Sequence, residues 1–252
     1  MPTLHVVIPV FNEPETLRPC LDRIVAVSLP ENWHPRIILV DDHSRAASFA
    51  DAEKLVEELT QRGCSVELHR HVRNRGKGAA LRTGFDVLVK SPDVPDDDLV
   101  IIQDADLEYD PEDYPALMEP LLANRADAVL GTRWGPHFPV HSLKRRLHAL
   151  GNGVLTKLSN LMTGYRVSDM ECCYKLMRVS FLRRLRPALT EERFGIEPQI
   201  VAGLARLSAR VEEVPVRYDP RGIDAGKKIG WVDGLRALYV IARERFRPAD
   251  AG

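Results

Sequence analysis

Cysteine is scarce in these 252 residues: Cys20, Cys64, Cys172 and Cys173 are the only four, with no C-x-x-C pair among them. That argues against a zinc ribbon or a disulfide framework and suits reduced thiols in the cytoplasm. Charge of one sign is not in excess either. Lys plus Arg number 35 against 36 Asp plus Glu, so no global field gathers nucleic acid. No apolar run approaches the roughly 18 residues that a membrane-spanning helix needs. The opening "MPTLHVVIPVF" runs straight into a strand-like segment, without the basic stretch that begins a signal peptide. Repeats and low-complexity segments are absent. The expectation is a cytoplasmic protein, with a peripheral contact at the cytoplasmic membrane face left open.

What is present is an ordinary globular composition, 44% hydrophobic and 28% charged, in a chain long enough for a real core. The first half alternates two periods. "LHVVIPV" (4–10), "RIILVDD" (36–42), "SVELHRH" (65–71), "DLVIIQD" (98–104) and "DAVLGTR" (127–133) read as strands. Helical patterns lie between them near 14–27, 50–62, 78–90 and 112–124. Strands separated by such helices imply crossover units, hence an α/β fold with a mainly parallel sheet and covered faces. From about residue 141 the pattern changes. Leu143, Leu147, Leu150, Val154, Leu158 and Leu161 form one apolar stripe, so 142–162 is expected as a long helix with that stripe on the core. Lys144, Arg145, Arg146 and His148 crowd its first turns. "RVEEVPVRY" (210–218) reads as a strand and "WVDGLRALYVIARERF" (231–246) as a last helix. No linker separates the halves, so 1–252 is expected as one domain. The histidines show no metal-ligand spacing and read as structural.

In open parallel sheets, ligands collect at the carboxyl ends of the strands. Here those ends carry Asn12 and Glu13, then Asp41 and Asp42, then Asp104 and Asp106. "VIIQDADLEYDP" (100–111) moves from a buried strand to a carboxylate at every second position. Two carboxylates flanking one small residue at a strand end can share a hard cation with substrate phosphates, as Mg²⁺ or Mn²⁺ sites commonly do. Asp110, before Pro111, reads as a helix cap. In "RNRGKGAALRTGF" (73–85), Gly76 and Gly78 bracket Lys77 ahead of a helix, a place where backbone donors and an ammonium can meet an anion. A solvated Gly-rich turn is the plain alternative, and the Walker A spacing is absent. In "VDDHS" (40–44), a carboxylate can accept hydrogen bonds from a base or ribose hydroxyl.

Taken together, "VVIPVFNE", "LVDDHS", "NRGKGAALRTGF", "DADLEYDP" and "GTR" stand in the order of the inverting GT-A glycosyltransferases of family 2. The chain most resembles the dolichol-phosphate and polyprenol-phosphate sugar transferases. "HALGN", "SDMECCYKLMR", "RFGIEPQ", "EVPVRY" and "GKKIGWVDGLRAL" extend the resemblance over residues 4–240. It implies a GT-A (Rossmann-like) fold, with 1–135 as the nucleotide-sugar-binding half and 136–252 as the acceptor-side half. It implies Asp104 and Asp106, with Glu108, as ligands of Mg²⁺ or Mn²⁺ on a nucleotide-sugar diphosphate. Pro9, Asn12, Glu13, Asp41 and Lys77 would line the donor pocket. Arg133 would face the transferred phosphate or the acceptor, and Arg221 and Lys227 would grip acceptor phosphate or donor diphosphate. The acceptor implied is a polyprenyl or dolichyl phosphate, the donor GDP-mannose or UDP-glucose. Departures are Gln199 where an acid is usual, Glu108 where many relatives have Gln, and an end at Gly252 without appended membrane helices.

A phosphate monoester is already anionic near neutral pH, so as a nucleophile it needs positioning and charge neutralisation rather than a base. A hydroxyl acceptor would need a carboxylate base, for which Asp169 and Glu171 in "SDMECC" are the candidates. Other readings are a transferase with a soluble acceptor, a sugar-nucleotide pyrophosphorylase and a sugar-nucleotide-binding subunit without turnover. "PVFNEPET" after the first strand lacks the Gly-rich basic loop of the pyrophosphorylases. The intact D-x-D counts against the subunit.

Overall fold

A computed structural model describes residues 1–134, 143–220 and 231–246, with the side chains of 143–149 and 231–233 outside that description. Arg221 and Lys227 therefore lie outside the described residues, as do the side chains of Lys144, Arg145, Arg146 and His148. The strands are β1 (Thr3–Val10), β2 (His34–Asp41), β3 (Ser65–Arg70), β4 (Leu99–Ile102), β5 (Ala128–Thr132), β6 (Lys175–Arg178) and β7 (Val211–Pro215). They form one sheet in the order β3-β2-β1-β4-β6-β5-β7. β3, β2, β1 and β4 run parallel, β6 is antiparallel to both β4 and β5, and β7 is parallel to β5.

The helices are α1 (Leu17–Ala26), α2 (Ala46–Gln61), α3 (Lys77–Lys90), α4 (Tyr114–Leu122), α5 (Leu143–Thr163), α6 (Val179–Leu185), α7 (Ile196–Arg206) and α8 (Trp231–Phe246). β1 and β4 are apolar along nearly their whole length because helices cover both sheet faces, and one apolar core runs from Leu4 to Ile241. The expected strands and helices of the first half are all present. β6, α6 and α7, in the region read only as mixed, are additions.

The apolar stripe of α5 is a correction. Of the expected stripe, Leu158 packs against the core, Leu150, Val154 and Leu161 are exposed, and the side chains of Leu143 and Leu147 lie outside the described residues; Leu155 and Met162 pack inward instead. The reason is polar. Asn152 donates to Asp169 (2.8 Å), Thr156 accepts from the Met170 amide (3.2 Å), and Asn160 bonds the Val167 backbone in both directions. Those bonds turn the Asn/Thr/Ser side of the helix inward onto the 167–170 loop.

The chain crosses from β1 to β2 on one side and reaches β4 on the other. The crevice at the carboxyl ends of β1 and β4 is therefore a topological switch point, where open sheets bind ligands.

Candidate active site

Each of three strands that end at this crevice is followed by a non-glycine residue in the left-handed region: Asn12 (φ 56°) after β1, His43 (φ 66°) after β2 and Leu107 (φ 63°) after β4. Such backbone persists where surrounding bonds over-determine it. Asn12 is held by its amide on Ser44 Oγ (2.8 Å) and by its Oδ1 accepting from the Arg45 amide (2.8 Å). The Glu13 side chain accepts from Thr16 Oγ1 at the entry to α1 (2.9 Å). Pro9 and Val10 pair in register with Val40 and Asp41, so the β1 and β2 ends are adjacent.

Asp41 is 1% exposed. Its Oδ2 accepts from the Ser44 amide (3.1 Å) and lies 3.5 Å from Arg70 Nε, while its Oδ1 has no hydrogen-bond partner among the described residues. A buried carboxylate oxygen without a donor is unfavourable unless a ligand supplies one. Its neighbour Asp42 is occupied by the protein. It accepts from the Arg75 amide (2.8 Å), the Gly76 amide (2.6 Å) and His71 Nδ1 (2.7 Å).

Those bonds change the reading of the Gly-rich loop. The amides ahead of α3 go to Asp42, and the Ala79 amide goes to Glu192 O (2.9 Å). Gly76 and Gly78 are needed because a Cβ at either would meet the 191–193 backbone at 2.6 Å and 2.5 Å. The loop is thus a close-packed joint that delivers Lys77 rather than an open anion cradle.

Lys77 Nζ lies 2.8 Å from Asp104 Oδ2 and 2.8 Å from Glu197 Oε1. Burial disfavours its charge, but Asp104 and Glu197 outweigh that and hold its pKa well above the usual lysine value. Glu197 continues inward: its Oε2 meets Lys175 Nζ (2.5 Å), which also donates to the carbonyls of Met170 and Cys172. Asp104 is braced from below by Gln103, whose Nε2 donates to Asp104 O and whose Oε1 accepts from Tyr114 and Tyr174. Asp106 Oδ1 accepts from the Glu108 amide (3.2 Å), closing the turn at Leu107, and Glu108 Oε2 accepts from Tyr218 (3.0 Å). Asp110 caps the next turn through the Glu112 amide, as its position before Pro111 predicts.

Among the described residues no group of three His, Cys, Asp or Glu side chains converges enough to hold a metal alone. Tyr218 engages Glu108 and Lys77 engages Asp104. The donor set nevertheless fits a divalent cation. Lys77 places a positive charge on Asp104 where a metal's charge would sit, and an Mg²⁺- or Mn²⁺-type site takes its remaining oxygens from phosphates and water.

On the far side, Arg133 grips Asp169 through Nε (2.6 Å), Nη2 (2.7 Å) and its own amide (3.1 Å), and its guanidinium lies 5.2 Å from the Tyr218 ring. Burial alone would raise the Asp169 pKa, but Arg133 and Asn152 hold it below the usual carboxylate range. Asp169 is therefore a clamp on Arg133 and a poor proton acceptor. Glu171 differs: burial, with Glu197 and Asp169 nearby, pushes its pKa up to about 7. Gln199 is a structural amide. It accepts from the Thr190 and Glu191 amides and donates to Ala188 O and Glu244, a donation that a carboxylate would lose. Burial pushes the Cys20 and Cys172 thiols up to about 12, which leaves them unreactive.

Asp41, Asp104 and Asp106 thus stand at the strand ends, with Lys77 at the start of α3 on Asp104, while Arg133 after β5 meets Asp169 of the α5–β6 loop, which also carries Glu171. Sequence reading passed over Glu197, Lys175, Tyr218 and Asn152. "RFGIEPQ" was informative at Glu197 rather than at Gln199.

The model of glycosyl transferase family 2 matches residues 5–186. The chain belongs to glycosyltransferase family 2. The dodecaprenyl-phosphate galacturonate synthase of Rhizobium johnstonii is 29% identical over 220 residues, covering 86% of this chain and 59% of its own length. The undecaprenyl-phosphate 4-deoxy-4-formamido-L-arabinose transferase of Edwardsiella ictaluri is 32% identical, covering 86% of this chain and 60% of its own length. This family 2 chain therefore spans about three fifths of the length of those relatives. An undecaprenyl-phosphate mannosyltransferase of Micrococcus luteus is 26% identical, covering 93% and 90%. Among solved structures, the glucosyl-3-phosphoglycerate synthase of Mycobacterium tuberculosis, crystallised with Mn²⁺, UDP and phosphoglyceric acid, superposes with a TM-score of 0.68 at 18% identity. The match covers 100% of this chain and 81% of that one. The likeness establishes the GT-A fold that the motif order implies.

Proposed function

We propose that this family 2 chain transfers a sugar from a nucleotide-sugar donor to a polyprenyl phosphate, by inverting displacement assisted by Mg²⁺ or Mn²⁺. The observation that carries the reading is the Lys77–Asp104 ion pair at the switch point, with Asp106 in the turn that follows it and Arg133 held rigid by Asp169. The relatives named for polyprenyl-phosphate acceptors support the acceptor class. GDP-mannose and UDP-glucose are the donors in view.

When bound, the cation neutralises charge on the leaving nucleoside diphosphate. The chain's own residues do the rest. Asp41 offers its unpaired oxygen to the ribose or base, with Pro9, Asn12 and Glu13 beside it on the strand ends. Asp104 and Asp106, with Glu108 as a further oxygen, would hold the cation, and Lys77 adds a second positive charge. Arg133 orients the acceptor phosphate, with Arg221 and Lys227 assigned by sequence to the same task. Glu171 would act as a base only for a hydroxyl acceptor.

No helix of the described residues is long and apolar enough to cross a membrane. Leu150, Val154 and Leu161 on α5, with Leu235, Tyr239 and Phe246 on α8, are exposed apolar groups at i, i+4 and i+11 spacing, each set on one helix face. They suit a peripheral contact at the cytoplasmic face of a bilayer, where a lipid acceptor resides. Purified protein incubated with a donor panel, Mn²⁺, a polyprenyl phosphate and soluble phosphate acceptors, with product mass measured, tests the assignment. Sugar linked to polyprenyl phosphate supports it, whereas sugar found only on a soluble acceptor defeats it.

A further inference from the structure

The Lys77 ammonium occupies two roles that conflict. It neutralises Asp104 as the protein stands, and a divalent cation at Asp104 would repel it. Lys77 is only 12% exposed at its side chain, so a cation that displaced it from a sole partner would strand a buried charge. Glu197 removes that difficulty. Its side chain, 3% exposed, faces Lys77 through Oε1 at 2.8 Å and is pinned from behind through Oε2 by Lys175. Lys175, itself 1% exposed, is fixed in turn by the carbonyls of Met170 and Cys172, in the loop that carries Asp169 and Glu171. The carboxylate cannot swing towards the crevice while Lys175 and that loop hold it. It presents one oxygen to Lys77 alone.

We propose that Glu197 is a positioning residue for the cation site: it gives Lys77 a second carboxylate, so that a divalent cation can take Asp104 without leaving the ammonium unpaired. This rests on the metal-assisted reading above. Glu197 reaches the cation only through Lys77, and Lys175 sets its direction. A merely structural ion pair would also be buried and short, so the distinction lies in whether Glu197 matters once Lys77 is gone.

The test is Mn²⁺ uptake by the protein without donor, read by electron paramagnetic resonance as free Mn²⁺, across a double-mutant cycle. Glu197→Gln is expected to weaken Mn²⁺ binding roughly 10- to 100-fold, the usual scale for a partner behind a metal ligand. Lys77→Met is expected to tighten it, because Asp104 loses its competitor. In the Lys77→Met background, Glu197→Gln should change the affinity less than about twofold, since the group it works through is absent. If Glu197→Gln prevents folding by leaving Lys175 a buried, unpaired charge, Lys175→Met with Glu197→Gln removes both charges together and carries the same expectation. Equal weakening with and without Lys77 overturns the proposal, because Glu197 would then act by general charge or packing. No weakening in either background overturns it also. Absence of Mn²⁺ uptake by the unaltered protein defeats the metal-assisted reading and this inference with it, whereas uptake with additive effects defeats this inference alone.

Discussion

An oxygen unpaired among the described residues distinguishes Asp41 from its neighbour Asp42, whose oxygens are both satisfied by the protein. Asp41→Ala should therefore raise the donor KM about tenfold or more, the scale of one hydrogen bond to a charged group, and lower kcat less. Steady-state kinetics against the donor check this, and a fall in kcat at unchanged KM would remove Asp41 from the pocket. Arg133→Lys keeps the charge but loses the two-pronged grip on Asp169, so transfer should drop by on the order of tenfold or more. Donor hydrolysis, which needs no acceptor grip, should survive better. Glu171 carries a pH signature. Its pKa is raised on folding, so its contribution to stability is complete below the ordinary glutamate range and is lost as pH rises through about 7. Glu171→Gln should then lose less stability than the unaltered protein between pH 5 and pH 8 in denaturant titrations. Equal slopes would show that Glu171 is not perturbed. At this scale the strand-end positions of the D-x-D, Asp41 and Arg133 were legible because each ends a recognisable strand. Glu197 and Lys175 were not. A buried ion pair has no periodicity, and these partners lie far along the sequence from Lys77 and Asp104, with Lys175 and Glu197 in the second half of the chain.

At the scale of elements, the joint between α3 and the 191–193 segment sets Lys77. Gly78→Ala puts a Cβ 2.5 Å from Glu191 O and 2.8 Å from Arg193 O, both backbone atoms that cannot swing aside. A loss of roughly 1–3 kcal/mol, typical of overpacking, is expected, with a lower Tm and weaker donor binding as Lys77 shifts. An unchanged Tm would show that the joint yields freely. α5 shows where helical periodicity misleads. Apolar stripes usually face the core, yet Leu150, Val154 and Leu161 do not, because Asn152, Thr156 and Asn160 bury the opposite side by binding the 167–170 loop. The exposed set then has a use: Leu150→Glu with Leu161→Glu should reduce sedimentation with anionic lipid vesicles without lowering Tm. Undiminished sedimentation would separate α5 from any membrane contact.

On the scale of the whole molecule, the parallel half was legible from alternating strand and helix periods, and with it the crevice at the strand ends. The antiparallel insertion of β6 between β4 and β5 was not, because a four-residue strand inside "CCYKLMR" carries too short a pattern. That insertion brings Lys175 to Glu197 and the 169–172 loop to Arg133, so it ties the Lys77–Glu197 pair to the Arg133–Asp169 pair. In the proposed reaction a cation held at Asp104 and Asp106 serves attack by a phosphate rather than a hydroxyl. The most direct measurement is nucleoside diphosphate release with polyprenyl phosphate or the matching polyprenol, each with Mn²⁺ and with EDTA, using the unaltered chain and Asp104→Asn. Release should rise only with polyprenyl phosphate and Mn²⁺ and vanish in EDTA and in the variant. Equal stimulation by polyprenol, or release that persists in EDTA, would contradict the account.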